Sequence, residues 1–378
     1  MKDSVPEAAV HLQWMRNRVG GIGLFLLGLA GGVALLLVVT PLGRYISRAA
    51  WEEAKILSAR RPITEMLGDQ SVEPTTRAKL AFVLDVRRYA LDSLALPAGE
   101  AFTQFTQLDR DTLVLVLSGA RRDALEPRLW WFPVVGRLPY KGYFDTGDAL
   151  DAARALEKEG YDTYLRPAAA FSTLGWFNDP LLSSTLRADS VDLANTVIHE
   201  LTHNRFFAKG QAVFNESFAN FVGARGAERL FLALGDSGSA RLSVRRWEDE
   251  RRLAAFWAEL YHRLEDAFDA HPGDSLRDRR LALRDSIYAD ARRQLVDSIA
   301  PLLTTIRPEY AERVKLDNAA LLARRIYLTD LELFERAYER EGRDLERTIR
   351  RIISLARSHA RDPVGGLHAW LGALRDST

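Results

Sequence analysis

The sequence contains no cysteine. That absence excludes disulfide scaffolds, thiol nucleophiles, Cys-ligated zinc and iron–sulfur clusters. It also closes the lipoprotein route to a membrane, which needs a cysteine to acylate. It leaves the redox compartment open. Excess charge is missing too. Against 52 basic residues stand 51 acidic ones, a net charge of +1, so there is no electrostatic footprint for nucleic acid. Histidine is scarce, with seven in 378 residues, and any pair at ligand spacing gains weight from that. No internal repeat is visible. What is present is a chain 47% hydrophobic and 27% charged. It is long enough to bury a large core and, at roughly 150 residues per domain, to form two or three domains.

Long uncharged runs are absent with one exception, the 21 residues 19–39, VGGIGLFLLGLAGGVALLLVV. At about 1.5 Å per residue this helix would cross a hydrocarbon layer of about 30 Å. The run exceeds the roughly 7–15-residue apolar core of a cleaved signal peptide, and no small-residue cleavage site follows closely. The expectation is a single-pass transmembrane anchor over 19–40 behind a cytoplasmic tail, 1–18, with residues 19–39 in the lipid bilayer. Arg16, Arg18 and Lys2 precede the run, and Arg44, Arg48 and Lys55 follow it. That balance gives no orientation. Gly28 and Gly32 form a GxxxG pair through which two such helices could make a weak homodimer.

The remainder reads as α+β and mostly helical. An N-terminal helical segment occupies 41–107, with an apolar stripe at Leu80, Val83, Val86, Ala90 and Leu94. Short β-like pieces follow between 108 and 180: TLVLVLS, LWWFPVVG, GYFD, GYDTYLRP and AFSTLGWF, interrupted by the helical ALDAARALEKEG. From Val191 the chain is helical, and a core segment over 108–230 gives way to a C-terminal helical region, 231–378. There Leu253, Trp257, Leu260, Leu264 and Phe268 make one stripe. After a break at His271 to Asp274, Ser275 with Asp278 reads as an N-cap. Leu283, Ile287, Ala291, Leu295, Ile299 and Leu302 would then carry the stripe on, the two helices packing as a hairpin.

The chemistry sits in Val197-Ile198-His199-Glu200-Leu201-Thr202-His203. His-Glu-x-x-His on a helix places two imidazoles one turn apart on one face, where they can share a metal ion. Composition alone would produce about 0.02 such matches. Neutral imidazole suits zinc, and catalytic zinc takes three protein ligands plus water. Glu200 is rotated about 100° from His199. That keeps it off the metal but within reach of a zinc-bound water, the place for a general base. The metzincin pattern fails, because Phe206 and Lys209 stand where it needs Gly and His. If Gly210 is a helix C-cap and a second helix returns antiparallel, His203 and Glu216 both lie about 10 Å from the turn. Glu228 would lie about 27 Å beyond it. Glu216 is therefore the expected third ligand. Asn220, four residues on, shares its face and could orient a histidine.

HELTH followed by FNESFANF resembles the gluzincin metallopeptidases, which include thermolysin and aminopeptidase N. A closer resemblance is to the bacterial putative-aminopeptidase family of membrane-attached zinc proteins. It is carried by RRPITEML, WWFPVVGRLPYKGYFD, GYDTYLRPAAAFSTLGWFNDPLLSSTL, VIHELTHNRFFAKGQAVFNESFANF and LDNAALLARRIYLTDL. Many relatives look like lipoproteins, whereas this chain has the hydrophobic run instead. Thermolysin-like enzymes have Asp where this chain has Asn220, so its bond to an imidazole would be uncharged.

The resemblance implies a zincin-like core, a small sheet against the zinc helix pair, holding one Zn2+ per chain. It implies a zinc-dependent peptidase, an aminopeptidase by name, that hydrolyses peptide bonds with Glu200 as base. It points to Tyr327, in a helix over 318–331, as the oxyanion stabiliser, with Tyr143 and His262 as weaker alternatives. It also suggests residues 170–178 as an edge strand for the peptide substrate, a plain core strand being the alternative. From exported relatives comes a bacterial inner-membrane location with the catalytic domain in the periplasm. No Gly-x-Met-Glu-Asn segment is present, and nothing selects among Asp145, Asp179 and Glu126 as the group that would bind a substrate amine. The rival readings are a catalytically silent zinc- or peptide-binding protein on the same fold, and a zinc hydrolase acting on another bond.

Overall fold

The computed structural model describes residues 28, 31–32, 35–110, 114–132, 136–167 and 180–372. Its contacts divide into two compact units, 1–58 and 59–378. In the first, α1 (Pro41–Ser58) buries Glu52 between Arg48, at 2.8 Å, and Lys55, at 3.1 Å. Most of the expected membrane run lies outside the described residues. Among those described, no helix is long and apolar enough to cross a membrane.

In the second unit, β1 (Arg61–Pro62) precedes α2 (Ile63–Gly68) and α3 (Pro74–Leu94). The segment expected to be helical over 41–107 is thus broken at β1, where Pro62 removes a helical N–H donor, and again at the strand Gln104–Thr106. The stripe on α3 is as read: Leu80, Val83, Val86, Ala90 and Leu94 are all buried. Glu73 caps α3 by accepting from the N–H groups of Thr75 and Thr76. Next come β2 (Gln104–Thr106), β3 (Leu115–Arg121), β4 (Trp130–Phe132), β5 (Gly136–Leu138), β6 (Tyr140–Tyr143), α4 (Thr146–Lys158), β7 (Tyr161–Pro167) and β8 (Leu181–Leu182).

Among the described residues the strands form three small sheets in the orders β1-β2-β8, β6-β3-β7 and β4-β5. The first was not legible, because its strands are two or three residues long and far apart in sequence. In the second, antiparallel register pairs Val116 with Gly142 on one side and with Arg166 on the other. The first expected strand starts at Leu115 and runs to Arg121, past the expected Ser118. α4 packs on this sheet through Ala153 and Leu156 against Leu117.

The helical part runs through α5 (Ser190–Arg205), α6 (Ala212–Ala233), α7 (Ser237–Asp269), α8 (Arg277–Gln294), α9 (Glu309–Arg313), α10 (Asn318–Arg325), α11 (Leu331–Arg340), α12 (Leu345–Ser358) and α13 (Pro363–Gly372). The main core gathers α3, α5, α6, α11 and α12 around Phe214, Phe218, Phe221 and Phe334. A second core lies between α7 and α8, where the stripe from Leu253 to Phe268 is buried as expected.

Two expectations about α8 fail. Its N-cap is Leu276, with no side-chain bond, rather than Ser275. Its buried face begins with Arg280, Arg284 and Tyr288 instead of Leu283 and Ile287, and Leu302 is exposed. The guanidinium groups turn inward because they have partners there. Arg280 bonds the Asp123 carboxylate at 3.2 Å and its carbonyl at 2.9 Å, and Arg284 pairs with Asp162. Paired charges can occupy positions that hydropathy assigns to leucine.

Candidate metal centre

α5 starts where Asp189 accepts from the N–H groups of Val191 and Asp192, each at 3.0 Å. Arg246 of α7 clamps the same end, donating to Asp189 at 2.8 Å and Asp192 at 2.7 Å. Val191, Ala194, Val197, Ile198 and Leu201 bury the helix against the main core. His199 and His203 lie beside that face, their side chains 13% and 19% exposed.

The return to α6 brings the carboxylate. Gly210, expected as the C-cap of α5, lies instead inside the connection with φ of +77°, and the helix ends at Phe206. Asn215 fastens this connection, its amide donating to the Ala208 carbonyl at 2.9 Å and its oxygen accepting from the Ala208 N–H at 2.8 Å. Close approach of the two helices depends on Gly223. A Cβ there would stand 2.8 Å from the Asn195 backbone oxygen and 2.1 Å from its side-chain oxygen. The helices therefore pack with Glu216 level with the histidines. Glu228 lies elsewhere, paired with Arg225 at 2.7 Å.

The resulting trio is tight. His199 Nε2 is 3.3 Å from His203 Nε2 and 3.4 Å from Glu216 Oε2, and His203 Nε2 is 3.7 Å from Glu216 Oε1. A tetrahedral ion with bonds of about 2.0–2.2 Å has ligand atoms about 3.3–3.6 Å apart. The two ring nitrogens and the carboxylate, which faces His199 with one oxygen and His203 with the other, thus converge at distances close to that spacing, with donors that suit zinc. They are the group among the described residues able to hold a metal ion.

Electrostatics agree with a place for positive charge. Burial, with His199 beside it, pushes His203 down to about 4. Burial acts the same way on His199, but the bond to Glu216 and the charge of Glu200 outweigh it and raise its pKa. Burial would raise Glu216, yet the His199 bond and both imidazoles hold it below the ordinary carboxylate range. Two nitrogens 3.3 Å apart cannot both be protonated comfortably, which matches the opposite directions in which the two imidazoles are pushed.

Asn220 ties this centre to the segment after α10. Its amide donates to the Tyr327 carbonyl at 2.8 Å, and the same side chain helps to raise the pKa of His199. Tyr327 is not in a helix as expected but in the turn that follows Arg325. Burial and the nearby Glu216 charge raise its pKa, opposed by Arg166, whose guanidinium lies 5.5 Å from its ring centre. Tyr140 of β6 is held high by burial and the same carboxylate. Neither Arg166 nor Tyr140 was singled out in the sequence. They reach the site through the register of β6 and β7 on β3, which no local pattern encodes.

The other candidates are engaged elsewhere. His262 is exposed and contacts Glu265 at 3.2 Å, and Tyr143 stacks under Lys141 at 5.1 Å. Asp145 caps α4, accepting from Asp148 at 3.0 Å, and Glu126 lies 3.9 Å from Arg121. Asp179 and the expected peptide-pairing segment 170–178 lie outside the described residues.

A family model described as "Putative aminopeptidase" matches residues 44–363. The chain belongs to this putative aminopeptidase family. The match runs from α1 to the start of α13 and includes all of the centre. No curated protein and no solved structure matches the chain. The family description points to hydrolysis of peptides.

Proposed function

We propose that this aminopeptidase-family chain is a zinc-dependent peptidase, held at a bacterial inner membrane through residues 19–39 with its catalytic unit in the periplasm. His199, His203 and Glu216 hold one zinc ion. The observation that carries this reading is the convergence of two ring nitrogens and one carboxylate, with closest approaches of 3.3, 3.4 and 3.7 Å. Bound zinc supplies Lewis acidity and lowers the pKa of water from 15.7 toward about 7.

The protein groups do the rest. Glu200, next to His199 on α5, takes a proton from the attacking water and delivers it to the leaving amine. Tyr327 donates its phenolic hydrogen to the oxygen on which negative charge develops. Its raised pKa keeps that hydrogen in place. Asn220 fixes both sides of the site at once, through His199 and through the Tyr327 carbonyl.

The test is Glu200→Gln, which keeps shape but cannot accept the proton. The variant should fold and retain zinc while cleavage of an unbiased peptide library falls at least about 10²-fold. Unchanged cleavage would contradict the assignment. A wild-type chain that binds zinc and cleaves no peptide would favour the silent binding protein.

A further inference from the structure

A cavity of about 960 Å³ is walled by α4, β7, α9 and the end of α10. Five cations line it, Arg154, Arg307, Arg313, Lys315 and Arg324, against two carboxylates, Glu157 and Glu309. Part of this charge is committed. Arg154 pairs with Asp151 at 2.5 Å and Lys315 with Asp317 at 3.1 Å, while Glu157 accepts from Thr163 Oγ1 at 2.5 Å. Arg307 and Arg313 form no ion pair among the described residues and stand exposed at the rim.

Arg324 forms the inner wall. Its guanidinium lies 5.5, 5.1 and 5.8 Å from the ring centres of Tyr164, Trp257 and Tyr310, and its Nε is buried without a hydrogen-bond partner. Aromatic walls hold the guanidinium in place but do not neutralise it.

The cavity and the metal centre are linked along two stretches of chain. Tyr164 lines it, and Arg166, two residues on along β7, reaches Tyr327. Such positions share one sheet face about 7 Å apart. Arg324 and Tyr327 are likewise three residues apart. Among the described residues β7 is also the outer strand of its sheet, and Thr163, Tyr164 and Leu165 line the cavity. A strand edge beside a cavity suits an extended peptide.

We infer that this cavity is the part of the substrate site that holds the peptide beyond the bond being cut, and that it selects acidic peptides. The inference rests on the peptidase reading for the bond cleaved. Carboxylate side chains would meet Arg324 inside and Arg307 and Arg313 at the rim.

The test uses the full chain in detergent, carrying Glu200→Gln so that peptide persists. The probes are a fluorescein-labelled pentapeptide of alanine and four glutamates, and its glutamine counterpart. The glutamate peptide should bind at least about tenfold tighter at low salt, and the preference should shrink at 1 M salt, where screening acts within about 3 Å. The rim variant Arg307→Glu with Arg313→Glu changes only exposed side chains and should erase the preference. Equal binding of the two peptides, or a preference that survives in the rim variant, would overturn the inference. Zinc measured on the same samples keeps the claims apart. Charge-selective binding without zinc sinks the hydrolytic reading alone, and charge-blind binding with zinc sinks the cavity's role alone.

Discussion

At the scale of single residues, the centre depends on groups that would never touch the metal. Asn220 bonds the Tyr327 carbonyl and acts on His199, whose pKa it helps to raise. Orienting partners of this kind typically change metal affinity by about 10–100-fold. Asn220→Ala should weaken zinc binding by about that factor, and Asn220→Asp should preserve it, since a carboxylate can still accept from an imidazole. A competition titration with a chromophoric chelator measures both. Unchanged affinity in the alanine variant would show that His199 is oriented by its packing alone. The placing of the two histidines on one helix face was legible because helix periodicity is local. Glu216 was legible because hairpin arithmetic tolerates a wrong C-cap: moving the helix end from Gly210 to Phe206 leaves residues 203 and 216 level. Arg166 and Tyr140 were not, since strand register brings them in from more than 30 residues away.

At the scale of elements, the contact between α5 and α6 sets the geometry of the site. Gly223 is usually a liability inside a helix, costing about 0.5–1 kcal/mol relative to alanine. Here a Cβ would stand 2.8 Å from a fixed backbone oxygen of Asn195. Gly223→Ala should therefore destabilise the fold by about 1–3 kcal/mol, the usual cost of overpacking, and should weaken zinc binding by pushing Glu216 from the histidines. Chemical denaturation and the same chelator titration read the two effects. A more stable variant would mean that the helices separate without strain. On α8, Arg280 and Arg284 take the buried positions at the start of the stripe read from the sequence, while Ala291 and Leu295 are buried as expected. The arginines' partners Asp123 and Asp162 lie more than 120 residues away, so no window of local sequence could have paired them. By contrast the stripe on α7 was legible, because its burial needs only apolar residues at helical spacing.

At the scale of the whole molecule, location and chemistry are separate claims with separate tests. The run over 19–39 predicts a full-length chain in membrane fractions that high salt does not release, since apolar burial is not screened as surface charge is. Protease added to intact spheroplasts should digest the unit 59–378. Protection of that unit would reverse the orientation, and a mature chain beginning after Thr40 would identify the run as a signal peptide. The chemical claim stands on three atoms contributed by two helices of the larger unit. The most direct measurement is the zinc content of the purified full-length chain, wild type beside Glu216→Ala and Glu228→Ala. The account predicts about one zinc per chain in the wild type and in Glu228→Ala, and its loss in Glu216→Ala, because two imidazoles alone cannot close the site. Zinc retained at wild-type affinity without Glu216, or lost only without Glu228, would contradict it.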